Sequence, residues 1–501
     1  MMPVDLPLFL EDCRSILPEL LLFTFAFLIL IVSAIMPRQD RRLIAWLSLF
    51  GTVLVIPTVV RFGMRLDGAA DAPSFFGDVA VDTLGFFFKL VFLLGASLTI
   101  MISIKYLDVE RAQAGEYYAL IMIATASMMF MATSLSLLMI FVSLETMALS
   151  SYILVGFLKE NRKSNEAALK YFVLGAFSSA IFLYGCSLVY GSTGSIQLSH
   201  IAAAALPGAA GAPLMTLGLI LITVALGFKV AAVPFHMYIP DVYEGAPTAI
   251  TAFISTASKA AAFAVALRVL VAGFPGLFDY WGPLVALLAA ASMTLGNITA
   301  ILQDNMKRML AYSSIAHAGY TLIGVLVAGM PGSTGQFGLK AVAIYLMVYT
   351  FMNIGAFAMV ILLRRKNLVG DLVVDFSGLA RRSPLAAFTM LLFMLSLAGI
   401  PPLAGFVGKW YLFGAAIKGG YAWLAVLAVI NSAISLYYYL RVVVCMYVHE
   451  PLSDEPYATS PALTAALAIA AGMTLTLGIW PESILRAANF AHTMALAALK
   501  G

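Results

Sequence analysis

Seven ionisable side chains of this 501-residue chain stand in stretches that are otherwise apolar: Glu145, Lys170, Lys229, His236, Lys259, His317 and Lys409. Glu145 lies in IFVSLETMALSSY, among Ser143, Thr146, Ser150 and Ser151, and Lys170 lies in NEAALKYFVLGAFSSA. Lys229 and His236 share LGLILITVALGFKVAAVPFHMYIPDVYEGAP, Lys259 is in ISTASKAAAF, His317 in AYSSIAHAGY and Lys409 in LLFMLSLAGIPPLAGFVGKWYLF. A lysine at the centre of a bilayer costs about 2.5–3.5 kcal/mol on insertion scales, so such groups face a water-filled path or one another. Burial disfavours the ammonium and a nearby carboxylate favours it. A lysine whose glutamate can approach or retreat therefore loads and releases a proton near neutral pH. The chemistry these types suit is proton carriage.

Each residue also has a plainer reading. Lys89 has Asp82 seven residues earlier on the same helical face, which predicts a local ion pair or a snorkelling side chain. Lys170 is close enough to a helix start to snorkel. Glu145 could serve only as a structural counter-ion, and His236 and His317 could be packing histidines. Lys229 and Lys259 are too deep to snorkel, and the predicted proton-carrying set is Glu145, Lys170, Lys229, Lys259 and Lys409. From the residues alone His236 and His317 stay open between packing and function. His200, His449 and His492 fall in loops or near the ends, and the Tyr437-Tyr438-Tyr439 run reads as packing at helix contacts.

The elements that must position these groups are membrane spans. The composition is 62% hydrophobic and 11% charged, with mean hydropathy +0.98, which marks an all-α polytopic membrane protein. At about 20 apolar residues per span, the sequence predicts fourteen helices near 15–36, 42–63, 80–104, 116–133, 135–157, 165–191, 214–235, 247–272, 282–302, 308–330, 338–364, 384–417, 420–448 and 461–481. The 116–157 block is about twice the length one span needs, so it is read as two helices. Pro234 interrupts the stretch around Lys229, and Pro401 with Pro402 interrupts the stretch around Lys409. A proline frees a backbone carbonyl that something else must satisfy. Paired broken segments in two halves are the mark of an inverted-repeat transporter fold. The prolines, however, follow the lysine in one stretch and precede it in the other.

Of the 29 Lys and Arg, 16 fall in loops after odd-numbered helices, among them Arg38, Arg41, Lys105, Lys307, Arg308, Arg364, Arg365 and Lys366. Eight, including Arg268 and Lys500, fall on the opposite side. This bias puts the odd loops in the cytoplasm and both termini outside. The acidic start of the chain (Asp5, Glu11, Asp12) lacks the basic region of a cleaved signal, so the first helix is expected to remain. Cys13, Cys186 and Cys445 are scattered, which argues against an iron–sulfur cluster or structural zinc. No G-x-x-x-x-G-K-[ST] and no strand-borne G-x-G-x-x-G is present, which argues against nucleotide binding. No metal, nucleotide or nucleic-acid site is expected.

SLETMALSSY, GFKVAAVPFHMYIPDVYEGAPT, STASKAAAF, LAGIPPLAGFVGKWYLF and SLYYYLRVV together carry a resemblance over nearly the whole chain. The sequence resembles the antiporter-like, proton-translocating membrane subunits of respiratory complex I, most closely the subunit N family, whose mitochondrial counterpart is subunit 2. The resemblance implies three N-terminal helices (1–110), two inverted five-helix repeats (111–272 and 273–450) and a C-terminal helix and tail (451–501). It implies that Glu145 modulates Lys229, that Lys170 influences this pair, and that Lys259 carries protons across the connecting region, with His236 and His317 supporting the water path that bridges the helices. Lys409 would be the terminal lysine where a sister subunit carries a glutamate. The chain also ends soon after its last helix, without the lateral helix of the largest sister.

By resemblance the chain itself holds no cofactor. NADH, FMN, iron–sulfur clusters and quinone would belong to partner subunits, and quinone reduction there would drive translocation here. Expected partners are the other antiporter-like subunits, small subunits toward the quinone site and membrane lipids, in a bacterial inner membrane. Two pumping alternatives share these residues: an Mrp-type cation/proton antiporter subunit, and the matching subunit of a ferredoxin-fed photosynthetic complex or membrane hydrogenase. A non-pumping scaffold is a third, and the run of buried lysines argues against it.

Overall fold

A long apolar run in hydrocarbon can satisfy its own backbone only as a helix, and the long apolar runs are helical in the computed structural model of this chain. The structure describes residues 12–36, 42–65, 73–75, 77–112, 114–205, 212–364, 370–451 and 459–494. Asp5, Glu11, Arg38, Arg41, Arg365, Lys366 and Lys500, used above for orientation, lie outside the described residues. The first six helices are α1 (Leu17–Ile35), α2 (Arg42–Arg65), α3 (Thr83–Glu110), α4 (Gly115–Thr133), α5 (Leu137–Val155) and α6 (Arg162–Thr193). Then come α7 (Ala212–Val230), the short α8 (Ile239–Gly245), α9 (Thr248–Gly273), α10 (Phe278–Ile301), α11 (Met306–Ala328) and α12 (Gly332–Leu363). The remainder is α13 (Pro384–Ala398), α14 (Ala404–Lys418), α15 (Ala422–Val448), α16 (Pro461–Ile479) and the amphipathic α17 (Glu482–Met494).

Among the described residues, 13 helices are long and apolar enough to cross a membrane. The remaining predicted span, 384–417, is the pair α13 and α14, 15 residues each. The predicted 214–235 helix ends earlier, at Val230. The 116–157 block divides as expected, and the reason is local. Around Ser134–Ser136 the chain is extended, Leu135 N donates to Asp78 O (2.8 Å) and Leu137 N to Ile196 O (2.9 Å). Neighbouring loops thus satisfy the backbone groups that a continuous helix would have paired internally. Elsewhere side chains start helices: Asp82 accepts from Gly85 N (2.8 Å) at α3, and Asn305 from Arg308 N (3.1 Å) at α11.

The spans α9 and α12 are wholly buried and α3 and α11 nearly so, whereas α1, α2, α6 and α16 turn apolar side chains outward. The centre of the bundle is therefore made of the helices that carry Lys259 and His317 and of those that wall them in.

Three sequence expectations give way to tertiary pairing. Lys89 is fully buried and pairs with Glu19 of α1 at 2.7 Å, so it neither snorkels nor joins Asp82. Asp82 instead takes a bidentate bond from Arg268 of α9 (2.5 and 2.6 Å), and Arg268 also donates to Ala132 O (2.9 Å). Arg268, Lys105 and Lys307, counted above with the loops, are all buried. Lys105 donates to Leu362 O (2.9 Å), and Lys307 to Glu244 O (2.7 Å) and Ala246 O (2.8 Å). Each cation has found a carboxylate or a row of carbonyls near a helix end, where it is most stable away from water.

Candidate functional site

Lys229 occupies the last turn of α7. The chain leaves the helix at Ala231, whose φ of 63° is left-handed, and runs irregularly to α8. The groups released by the break are met from outside the helix: Val233 N donates to Ser292 Oγ of α10 (2.9 Å), and Tyr238 Oη donates to Phe228 O (3.0 Å). Lys229 Nζ donates to Ser179 Oγ of α6 (3.3 Å), and Ser179 in turn donates to Glu145 Oε1 of α5. Lys229 and Glu145 are also directly 3.9 Å apart. Ser179 lies 17 residues from Arg162 in the 32-residue α6, about 25 Å along the helix. The chain of three groups is therefore at mid-depth. The Lys229 side chain is 8% exposed and that of Glu145 is 26% exposed.

Lys170 does not join this chain. Its ammonium bonds Asp241 of α8 (2.7 Å) and Glu166 one turn earlier (2.9 Å). Asp241 and Glu244 also bind Arg308 of α11 (2.9 and 3.0 Å), and Glu244 binds Lys163 (2.8 Å). Burial alone would raise both carboxyls, but the bonds from Lys170 and Arg308 hold Asp241, and those from Lys163 and Arg308 hold Glu244, below the usual carboxylate range. Asp241 and Glu244 escaped the sequence reading; the signal was two acids flanked by Pro240 and Pro247 immediately after a broken span.

Lys259 lies directly after a π-helical turn, Ile254–Ser258, in the middle of α9. Such turns recur at functional positions because they shift the register of the side chains that follow. Its ammonium donates to Ser314 Oγ (2.6 Å) and Ser314 O (3.0 Å) of α11 and lies 5.9 Å from the centre of the Tyr243 ring. One turn along α11 from Ser314, His317 Nδ1 meets Tyr345 Oη of α12, and Nε2 meets Tyr439 Oη of α15 at 3.0 Å. A further turn brings Tyr320, whose ring centre is 5.2 Å from the Lys409 ammonium. Thus α11 carries Ser314, His317 and Tyr320 on one face, from Lys259 to Lys409. Tyr439 is half of this histidine's bonding and was read from sequence as packing only.

Lys409 of α14 is buried and donates to Ala398 O (2.8 Å), the last residue of α13, and to Ser432 Oγ of α15 (2.8 Å). It reaches back across Gly399, whose φ is 90° and whose absent Cβ would stand 2.8 Å from Lys409 Cδ. Glycine is required there twice, for the left-handed backbone and for the passage of the lysine.

His236 sits half-buried in the α7–α8 break, and among the described residues none of the hydrogen bonds linking the lysines runs through its ring. Among the described residues, Asn353 Oδ1 is buried without a hydrogen-bond partner. Pro234, Pro401 and Pro402 all lie in the two breaks. Among the described residues, no three His, Cys, Asp or Glu side chains come together to hold a metal ion.

Residues 134–435 match the family described as NADH:quinone oxidoreductase/Mrp antiporter, TM. The chain is 44% identical over 481 residues to NADH-quinone oxidoreductase subunit N of Trichlorobacter lovleyi, covering 95% of this chain and 96% of that one. It is 45% identical over 482 residues to NADH-quinone oxidoreductase subunit N 2 of Rhizobium meliloti, covering 96% and 98%. Among solved structures it is similar to a chain of respiratory complex I from Thermus thermophilus with bound aureothin, at 35% identity and a TM-score of 0.78, covering 94% and 98%. A chain of the Mrp complex from Dietzia shares the fold, at 23% identity and a TM-score of 0.82, covering 98% and 99%.

Proposed function

Because this chain belongs to the family of NADH:quinone oxidoreductase and Mrp antiporter membrane subunits, we propose that it is the proton-translocating subunit N of an NADH–quinone oxidoreductase. It is a multi-pass membrane protein whose task is to move protons while redox chemistry proceeds in partner subunits. The observation that carries the reading is the Lys229–Ser179–Glu145 chain at mid-depth, a carboxylate and an ammonium bridged by a hydroxyl. Its direct 3.9 Å separation leaves the pair intact yet separable by a small movement of α7. Moving one charge against 100 mV requires about 2.3 kcal/mol. Changing the solvation and pairing of one buried lysine supplies a similar amount, about 1.4 kcal/mol for each tenfold change in proton affinity.

In this reading Lys229 takes up a proton when Glu145 is near and releases it inward when the two part. Lys259 passes it along the Ser314–His317–Tyr320 face of α11, and Lys409 is the last lysine. In this reading NADH, FMN, iron–sulfur clusters and quinone belong to other subunits. The cytoplasmic side is the one that bears Arg162, Lys307 and Arg364, with both termini on the periplasmic side of the bacterial inner membrane.

Glu145 also indicates where a partner sits. A carboxylate 26% exposed at mid-depth cannot face lipid tails, so the outer face of α5 and α6, with Leu138, Val142, Leu149 and Phe177 exposed, docks another antiporter-like subunit. The decisive experiment is Lys229→Ala in the assembled complex, with quinone reduction and proton uptake measured together. Both fall while assembly survives; wild-type rates of both overturn the assignment. The Mrp-type alternative shares the fold, and its separate test is sodium-dependent exchange in proteoliposomes containing the purified complex.

A further inference from the structure

A polar pocket of about 130 Å³ lies near the Arg162 end of α6, lined by Lys163, Glu166, Lys170, Asp241 and Glu244. Between it and the Lys229–Ser179–Glu145 chain stands a stack of four aromatic rings drawn from four elements. Tyr152 of α5 meets the edge of Tyr171 of α6, with centroids 4.7 Å apart. Tyr171 lies parallel to Tyr238, at the start of α8, at 5.4 Å and 9°. Tyr238 lies on Phe228 of α7 at 4.3 Å and 15°. All four residues are buried, at 9% exposure or less.

Sequence neighbours place the stack between the two polar sites. On the pocket side Tyr171 follows Lys170, and Tyr238 precedes Asp241 by one turn. On the inner side Phe228 adjoins Lys229. The Tyr152 hydroxyl lies against Gly175, one turn before Ser178 and Ser179, where a Cβ would be 2.0 Å from the oxygen. That hydroxyl is buried and has no hydrogen-bond partner among the described residues. Tyr238 is fastened to α8, and the Asp241 bonds to Lys170 and Arg308 fix α8 against α6 and α11.

The geometry points to this stack as the barrier a proton crosses between the pocket and Lys229, with the Tyr152 hydroxyl as the polar stepping stone within it. The inference rests on the proton-translocating reading above. Packed rings exclude water, and an apolar constriction of this kind conducts only when wetted. A tyrosine hydroxyl accepts a proton on its lone pair and releases its own on the other side, so the proton passes and the residue is unchanged. The unpartnered oxygen is then free to bond water when the stack parts.

The test uses the whole complex in inverted membrane vesicles, with Cys13, Cys186 and Cys445 replaced by serine and with Ser179→Cys as reporter. The probe is a small, permanently charged methanethiosulfonate added from the cytoplasmic side. Labelling is slow behind an intact stack. With Tyr171→Ala or Tyr238→Ala it becomes about tenfold faster or more, while Tyr171→Phe, which keeps the ring, stays slow. Unchanged labelling in both alanine variants overturns the barrier. Where an alanine variant does not assemble, Tyr152→Phe decides, with uptake read in a complex that keeps Ser179: proton uptake per electron falls roughly threefold or more, and wild-type uptake overturns the proposal. The labelling readout needs no pumping, so a failure of Lys229→Ala to impair translocation is distinguishable from a failure of the barrier.

Discussion

At the α7 break the lysine belongs to the helix that ends; at the α13–α14 break it belongs to the helix that begins. Lys229 sits in the last turn of α7, whereas Lys409 of α14 reaches back to the carbonyl of Ala398, where α13 stops. The two ammonium groups therefore occupy equivalent places, the negative end of the first half-helix, although the order of lysine and proline is reversed between the two stretches. Their partners differ. Lys229 faces a carboxylate through Ser179, while Lys409 is held by a backbone carbonyl and the Ser432 hydroxyl. A carboxylate can be moved or protonated, and in the proposed reading this is what would switch the charge on Lys229. A helix-end carbonyl is fixed, so nothing at Lys409 corresponds to a partner that can move or change charge.

The largest expected effect separates the two sites by coupling. Lys229→Ala and Lys409→Ala each lower coupled proton uptake by roughly tenfold or more. Combining Glu145→Gln with Lys229→Ala adds little to Lys229→Ala alone, whereas combining it with Lys409→Ala is additive. A double-mutant cycle of uptake rates reads this directly, and equal coupling at both lysines would remove the distinction. Next in size is Ser179→Ala, which severs the bridge but leaves the 3.9 Å pair; about tenfold loss is expected, near the value of one hydrogen bond to a charged group. Ser432→Ala at the other break leaves the Ala398 carbonyl in place and should cost only about two- to threefold. A loss at Ser432 matching that at Ser179 would mean that both lysines depend on their hydroxyls alike.

The smallest effect concerns pH and only the Lys229 side. Asp241 and Glu244 titrate below the usual carboxylate range. Their ion pairs are therefore complete above the ordinary unfolded value, about pH 4, and are lost only as the pH falls through the lower folded value. Asp241→Asn should lower activity by a constant factor from pH 5 to 8, with no change in the shape of the profile. A new inflection in that window, in initial-rate measurements on the variant, would show that Asp241 itself exchanges protons in the working range.

The spans were legible because hydrocarbon leaves a long apolar run no alternative to a helix, and the two breaks because proline cannot continue one. The deep lysines were legible from their cost alone. Partners were not. Lys89 and Asp82 are neighbours on one helix, yet each bonds a residue far along the chain, Glu19 and Arg268, because a bidentate or fully buried pair outweighs a local one. Lys170 was placed with Glu145 and Lys229 but is bound by Asp241 on α8, whose position depends on how the chain turns after the break. Ser179 and Tyr439 look like ordinary span residues until α6 and α15 dock.

By itself the sequence determined which segments cross the membrane, where two of them break, and that ionisable groups lie at depth. These follow from the transfer free energy of each residue, which needs no neighbour. Only the tertiary structure decided that reversed lysine–proline orders present the same charge to the same helix end, that one lysine faces a carboxylate and the other a carbonyl, and that four rings stand at the mouth of the first. Those are distances between helices, and the helical period within each span constrains a residue's face but not what is packed against it.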